Sequence, residues 1–330
     1  MGRANSVPGL LNPQLAYQPG LRGWVRLKLS LIRRRLRGWR KETLLFLSKP
    51  LGVLGLASIG LFALFALGQP LLMATVWKDQ IYDPELGYDI RIFPHPAAPS
   101  AKHLLGTDPL GRDILSRLVY STRTSFGVGL SAALIGSLIA TTVGVSAAYF
   151  EGRVDTILMT LADAFILLPP AVVLLIIGLI FEMSWLQLGV IFGVFAGAGS
   201  LALLVKAQAL TIKSKPFVEA GRVAGGGGWR LIRTHILPNL ISLLSVNIMF
   251  IVTGSVLIEA LMSFLHRTNL RTSWGMMIWM ALEDNMSGFD LVDEWFVIVP
   301  PALAIMLFCG GFYLVGRTLD EVTNPRLRAR

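Results

Sequence analysis

Residues 214–239 read SKPFVEAGRVAGGGGWRLIRTHILPN, a polar and basic island between two long apolar runs. A loop joining two membrane helices needs only a handful of residues, so this stretch is long for a simple connection. Pro216 suits the first turn of a helix and Glu219 suits its positive end. Phe217, Val218, Ala220, Val223 and Ala224 supply a small-residue apolar surface, and the glycine run 225–228 then breaks the helix. Trp229 to Ile236 makes a second short helix before Pro238 opens the next apolar run. A helix–turn–helix at the membrane surface, apolar on one side and basic on the other, is a docking device for a soluble partner. On the residues alone, the same stretch also reads as an amphipathic loop lying on lipid headgroups.

Composition sets the class independently. The chain is 54% hydrophobic and 15% charged, with mean hydropathy +0.63, well outside the range of soluble globular domains. Crossing the hydrocarbon core takes roughly 20 residues of helix, and six runs are candidates: about 51–76, 124–149, 156–181, 185–210, 236–265 and 295–316. Lys206 interrupts the fourth near its end. The expected fold class is therefore an all-α membrane protein with six transmembrane helices. The expected organisation is a basic amphipathic segment over 1–49, a first transmembrane helix over 50–76 and an external segment with an interfacial helix over 77–123. A five-helix core follows over 124–316, including the loop 206–239, and then a tail over 317–330. The lone cysteine, Cys309, lies in an apolar run, so no intrachain disulfide is expected.

The formal net charge of +10 invites a nucleic-acid reading, but its distribution argues for topology. Residues 1–49 hold eleven Lys/Arg against Glu42, and 206–235 hold six against Glu219. The tail from Arg317 holds four more. Residues 77–103 carry three basic and four acidic side chains instead, and 266–295 are net acidic. Six crossings with both termini cytoplasmic reproduce that alternation. The expected location is the inner (plasma) membrane, with the basic faces against anionic lipid and no nucleic-acid partner. The first apolar run begins too far in for a typical cleavable signal peptide. In residues 1–49, Trp24, Leu27, Leu31, Leu36 and Trp39 interleave with Arg22, Arg26, Lys28, Arg33 and Arg37. That pattern reads as a helix lying along the inner surface.

The external segment is proline-rich, with Pro84, Pro94, Pro96 and Pro99, and leads into His103-Leu104-Leu105-Gly106-Thr107-Asp108-Pro109-Leu110-Gly111-Arg112-Asp113. Gly106, Gly111, Thr107, Asp108 and Pro109 read as a turn and a helix start. Asp113 and Arg117, four apart, are placed to pair on one helical face. The segment reads as an interfacial cap settling the external loop on the bundle, in preference to one that contacts substrate directly.

Two stretches carry a family resemblance. Glu219-Ala220-Gly221, then Gly225, then His235-Ile236-Leu237-Pro238 resembles the coupling motif of ABC importer permeases: Glu-Ala-Ala, three residues, Gly, nine residues, Ile/His-x-Leu-Pro. Gly221 stands where the second Ala is usual, and three extra glycines follow Gly225. Leu105-Gly106-Thr107-Asp108 with Gly111-Arg112-Asp113 and Ser116-Arg117 is similar to the signature of the C-type permease of oligopeptide, dipeptide and nickel importers. The resemblance runs from about residue 100 to 265, through Tyr149 to Asp155, Asp163 with Pro169, Leu257-Ile258-Glu259-Ala260 and Ser273-Trp274-Gly275. It departs at 266–272 and at Asn324-Pro325-Arg326. It implies a type I ABC importer bundle with a cytoplasmic coupling helix–turn–helix. Phe217, Val218, Glu219, Ala220, Gly221, Gly225, Trp229, Arg230, Leu237 and Pro238 would be the coupling residues. It also implies a homologous permease as heterodimer partner, two cytoplasmic ATPase subunits that use ATP and magnesium, and an external solute-binding protein. ATPase closure would rock the bundle between inward and outward access.

The chemistry missing from the chain agrees with that division of labour. No Gly-x-x-x-x-Gly-Lys-Ser/Thr exists, and the glycines 225–228 lead into Trp229 and Arg230, so no phosphate-binding lysine follows. His95, His103, His235 and His266 are scattered without zinc-ligand spacing, and no nucleophile elbow appears. The chain is expected to bind no cofactor and to be no enzyme by itself. Asp163, Glu182 and Glu259 lie in or near apolar runs, where carboxylates are expensive and draw functional attention. Asp163 is expected to pair with Arg153 or another loop base. Glu182 is expected to mark the external end of the third span. Glu259 either lines the passage or bonds a neighbouring helix. A proton-coupled secondary transporter using these carboxylates is the rival reading, and a membrane-anchored structural or signalling protein is a third.

Overall fold

The structure, a computed structural model, describes residues 43–92, 94–285 and 294–323. The expected amphipathic segment before residue 43 and the tail after 323 lie outside these. Residues 43–49 fall outside the bundle, whose described residues start at Pro50. The bundle's helices are α1 (Pro50–Thr75), α2 (Ile114–Phe150), α3 (Gly152–Leu167), α4 (Pro170–Ile180), α5 (Trp185–Ala198) and α6 (Ser200–Lys213). They continue with α7 (Pro216–Val223), α8 (Gly228–Leu231), α9 (Leu237–Phe264), α10 (Trp274–Asn285) and α11 (Trp295–Thr323). No strand occurs among the described residues. Four helical runs are long and apolar enough to cross a membrane, and up to six if two bent pairs each count as one span.

Helix α2 is the central column, packed by α1, α5, α6 and α9. Its buried face is made of small residues, among them Gly129, Ala132, Ala133, Gly136, Ala140 and Gly144. Glycines four apart on α5 lie against it. A Cβ on Gly193 would sit 2.7 Å from the Ala132 carbonyl, and one on Gly197 would sit 2.4 Å from that of Gly136. Such contacts let two backbones touch, which in a lipid-surrounded bundle supplies packing that hydrophobicity cannot. The Gly193/Gly197 pair is thus a packing seam. A second seam joins α1 to α11, where a Cβ on Gly55 would meet the Gly311 carbonyl at 2.7 Å. Above it Phe62, Phe308 and Trp274 stack edge to face, with centroids 5.3–5.6 Å apart.

Three sequence expectations are corrected. The helix that carries the second apolar run starts well before residue 124: the interfacial turn runs into it as one helix of 37 residues from Ile114. No Pro or charge cluster interrupts that run, and Asp113 caps it at the start. The third apolar run is not one straight helix, since α3 and α4 meet at 75° around Leu168–Pro169. Consecutive prolines 169 and 170 remove two backbone donors and clash with the preceding turn. The fourth bends by 43° at Gly199, between α5 and α6. Lys206, the charge in that run, is neutralised by Asp155 of α3 at 2.5 Å.

Candidate functional site

The two polar segments singled out in the sequence sit at opposite ends of α2, about 55 Å apart at 1.5 Å per helical residue. At the C-terminal end of α2 lies the helix pair α7–α8. Lys215 is the N-cap of α7, Pro216 takes its first position, and Glu219 sits in the first turn with Arg222 3.2 Å away. The helix stops by a Schellman motif. The Gly226 N–H donates to the Gly221 carbonyl at 3.0 Å and the Gly225 N–H to that of Arg222 at 3.0 Å. Gly225 has φ +82°, the left-handed conformation that a Cβ penalises. Gly221, the departure from the usual Ala, faces α8: a Cβ there would lie 3.0 Å from Leu231 and 3.2 Å from His235.

The pair is seated on the bundle by its buried side. Val218 is 1% exposed and belongs to the main core, with Ile212, Ile232 and Ile236. Val218 therefore anchors the pair and is not part of its outer surface. Leu237 is half-buried, whereas Phe217, Glu219, Ala220, Val223, Gly225, Trp229, Arg230 and Pro238 are exposed. Val223 and Trp229 stand out at 82% and 72%. A five-residue π-turn, Ile232–Ile236, carries α8 into α9 without a break.

Sequence reasoning missed the fastening that ties the end of α6, immediately before this pair, to α2. The Lys213 ammonium donates to the carbonyls of Ala148 at 3.0 Å and Tyr149 at 3.1 Å, and to the Glu151 carboxylate at 2.6 Å. It thereby satisfies carbonyls that the end of α2 would otherwise leave unpaired. The hydrogen bond from Lys213 pulls the Glu151 carboxyl below its usual range. Tyr149 in turn touches the start of α8, where a Cβ on Gly228 would lie 2.4 Å from the phenol oxygen. A lysine some sixty residues downstream carries no sequence signal of a helix cap.

At the other end of α2 the signature residues form a buried polar knot. Gly106 and Gly111 have φ +82° and +76°. Side chains there would strike the Ala97 carbonyl at 2.5 Å and the Tyr88 ring at 2.6 Å. The Thr107 hydroxyl accepts from the Ala97 N–H at 2.8 Å and meets His95 Nδ1 at 3.0 Å. Asp108 accepts from the backbone N–H of Arg112 at 2.9 Å, from its Nε at 2.8 Å, and from Arg117 Nη1. The expected Asp113–Arg117 pair does not form. Asp113 caps α2 through the Ser116 N–H at 2.7 Å and takes His103 Nδ1 at 2.8 Å, while Arg117 turns to Asp108. An N-cap carboxylate faces its own first turn, so it is unavailable to a side chain four residues on.

His103, wholly buried, bridges two carboxylates, with Asp89 3.2 Å from its Nε2. Burial raises Asp89, but hydrogen bonds from Lys102 and His103 and the Arg91 N–H outweigh it and bring it down to about 2. Burial dominates at Asp113 and raises its carboxyl despite Ser116 and His103. Neither Asp89 nor Lys102 nor His103 was singled out as a site residue, because their partners lie in separate turns.

The intramembrane carboxylates divide. Asp163 lies on the exposed side of α3, and no ion pair to Arg153 or another base forms among the described residues. The helix turn of 3.6 residues places it on a different face from Asp155, which takes the nearby Lys206. Glu182 lies exposed in the link between α4 and α5, at the same end as the knot. Glu259 is 0% exposed and accepts from the Ser263 hydroxyl at 2.8 Å, which also meets Thr268 at 3.2 Å. It bonds within the bundle instead of opening to a surface. No cluster of His, Cys, Asp and Glu suited to a metal occurs among the described residues.

An all-helical arrangement of the described residues, with at least four helices long and apolar enough to cross a membrane, fits a multi-pass membrane protein. Residues 121–329 match the family described as binding-protein-dependent transport system inner membrane component, and the chain belongs to that family. Among its relatives is a putative peptide transport system permease protein of Brucella suis, 32% identical over 70% of this chain and 76% of that protein. The glutathione transport system permease protein GsiD of Pectobacterium atrosepticum is 30% identical over 88% of this chain and 92% of its own length. The dipeptide transport system permease protein DppC of Bacillus subtilis is 34% identical over 70% and 71%. The resemblance to C-type peptide-importer permeases read from the motifs therefore holds.

Proposed function

We propose that this chain is the subunit of a peptide importer that converts closure of partner ATPases into movement of the bundle. The observation that carries the reading is the α7–α8 pair. It is closed by a Schellman turn and anchored by Val218, and Lys213 at the end of α6 just before it bonds the end of the central helix α2. It leaves Val223 and Trp229 uncovered beside Glu219 and Arg230, the mixed apolar and charged surface that a soluble partner needs. Force applied there passes directly into α2, and along α2 to the polar knot at the other end.

In this reading the α7–α8 end is cytoplasmic and α1, α2, α3–α4, α5–α6, α9 and α11 are six spans. A homologous permease completes a heterodimer, two ATPase subunits use ATP and magnesium, and a solute-binding protein delivers peptide to the outer end. The chain holds no cofactor. The proton-coupled alternative needs carboxylates arranged as a relay. Asp163 is exposed on α3 while Glu259 is sealed in the core, which favours the ATP-driven reading.

The test is Val223→Asp in the assembled importer. It places a charge in the docking surface without touching the core, so membrane insertion stays normal. Peptide uptake and peptide-stimulated ATP hydrolysis should both fall at least about tenfold, the effect of losing one well-buried interface contact. Unchanged uptake and stimulation would remove α7–α8 as the coupling element.

A further inference from the structure

Two cavities lie beside the knot, of ≈ 520 and ≈ 600 Å³, and share the wall formed by Glu85 and Asn269-Leu270-Arg271. Each falls in the range of about 300–1,000 Å³ typical of small-molecule sites. Their charges differ in kind. The first adds Arg123 and Trp185, and the second adds Glu182 and His266. Arg123 is held at 2.9 Å by the neutral amide of Gln69, and its guanidinium makes no ion pair among the described residues, the wall carboxylate, Glu85, being held by Tyr120. Glu182 makes no ion pair among the described residues. Arg112, the remaining cation of the second cavity, is already committed to Asp108. On the shared wall, Arg271 and Glu85 stand 4.0 Å apart, a loose pair with Arg271 71% exposed. The wall itself is fixed: the Tyr120 hydroxyl donates to Glu85 at 3.2 Å, and the Thr272 hydroxyl donates to the Pro84 carbonyl at 3.1 Å.

An unpaired cation in one chamber and an unpaired anion in the next, joined across a polar wall, match a ligand with opposite charges at its two ends. We propose that the paired cavities are a binding site for a short zwitterionic peptide. Its terminal carboxylate lies at Arg123 and its terminal ammonium at Glu182, with Asn269 facing the backbone amides between them. The guanidinium suits a carboxylate because its fork geometry matches the two oxygens. The peptide reading of the importer underlies this proposal, which adds where in this chain the peptide's ends are read.

The experiment uses the complete importer in proteoliposomes, with dialanine and trialanine as probes in free, N-acetylated and C-amidated forms. Any preference of the binding protein for free ends is common to all variants, so the informative quantity is how each substitution changes the penalty for blocking one end. Arg123→Gln should lower uptake of the free peptides about tenfold, the worth of one charge-assisted hydrogen bond, and should abolish the penalty for amidation while leaving that for acetylation. Glu182→Gln should do the reverse. Both side chains are exposed, so neither change disturbs the fold. Wild-type uptake with both penalties unchanged in both variants overturns the site and leaves the peptide reading standing. Absence of any peptide uptake by the wild type overturns the peptide reading, and the site with it.

Discussion

Arg117 carries its charge into a place with no solvent access, one turn into a membrane-spanning helix. It is tolerable there because Asp108 sits against it, itself fixed by the N–H groups of Leu110 and Arg112 at 3.0 and 2.9 Å. The carboxylate's other partner, Arg112, also meets the Met280 sulfur at 2.7 Å, which ties the knot to α10. Removing the carboxylate alone strands a buried cation, a loss of about 3–5 kcal/mol in comparable pairs. Asp108→Asn should therefore lower the thermal midpoint of the detergent-solubilised protein sharply. Adding Arg117→Met to it should restore part of the loss, because a well-packed apolar side chain replaces an unpaired charge. Equal midpoints for wild type and Asp108→Asn would show that the pair contributes nothing to stability. The glycines of the same knot act by backbone conformation: Gly106 and Gly111 are where the chain must turn left-handed beneath Phe296 and Tyr88.

Helix α7 shows how a short element earns stability that its eight residues cannot supply alone. Pro216 starts it, Glu219 and Arg222 favour its two poles, and the Gly225 turn closes it. Val218 then supplies its burial against the core. The turn is the sensitive part. Gly225→Val forces a β-branched residue to φ +82°, costing about 1–2 kcal/mol at that position alone. A Cβ at Gly225 meets no atom within 4 Å, so the penalty is confined to the backbone. The variant should insert and assemble, yet hydrolyse ATP at a rate that no longer responds to peptide. Hydrolysis that still rises with peptide, alongside normal uptake, would show the turn's geometry to be irrelevant to coupling. The bent elements follow the same logic: α3–α4 turns where two prolines fall together, and α5–α6 turns at Gly199.

Across the whole molecule, α2 connects everything. One end is capped by Asp113 within the knot, the other is held by Lys213 beside α7, and small residues line the face between them. A rod packed this tightly transmits displacement instead of absorbing it. In the proposed reading the energy comes from partner ATPases outside the chain; the sequence carries no phosphate-binding lysine motif, and no paired carboxylate relay occurs among the described residues. Reconstituted alone in vesicles, the chain should neither hydrolyse ATP nor accumulate dialanine when a pH gradient is imposed. Accumulation under the gradient, abolished by Asp163→Asn or Glu259→Gln, would transfer the protein to the secondary transporters.

Membrane residence, all-helical class and family were legible in the chain because they rest on features local in sequence: apolar run length, charge alternation and two fixed-spacing motifs. So were the start of α7 at Pro216 and its end before Gly225, since caps and stops act on residues a few positions away. Tertiary structure alone decided which charges pair. Asp113 and Arg117 have helical spacing, but the N-cap geometry and a histidine ten residues upstream claimed the aspartate. The Lys213 fastening and the neighbouring cavities unite residues from 85 to 280. Contacts between distant segments depend on where each helix end comes to rest in space, and no spacing rule along the chain encodes that position.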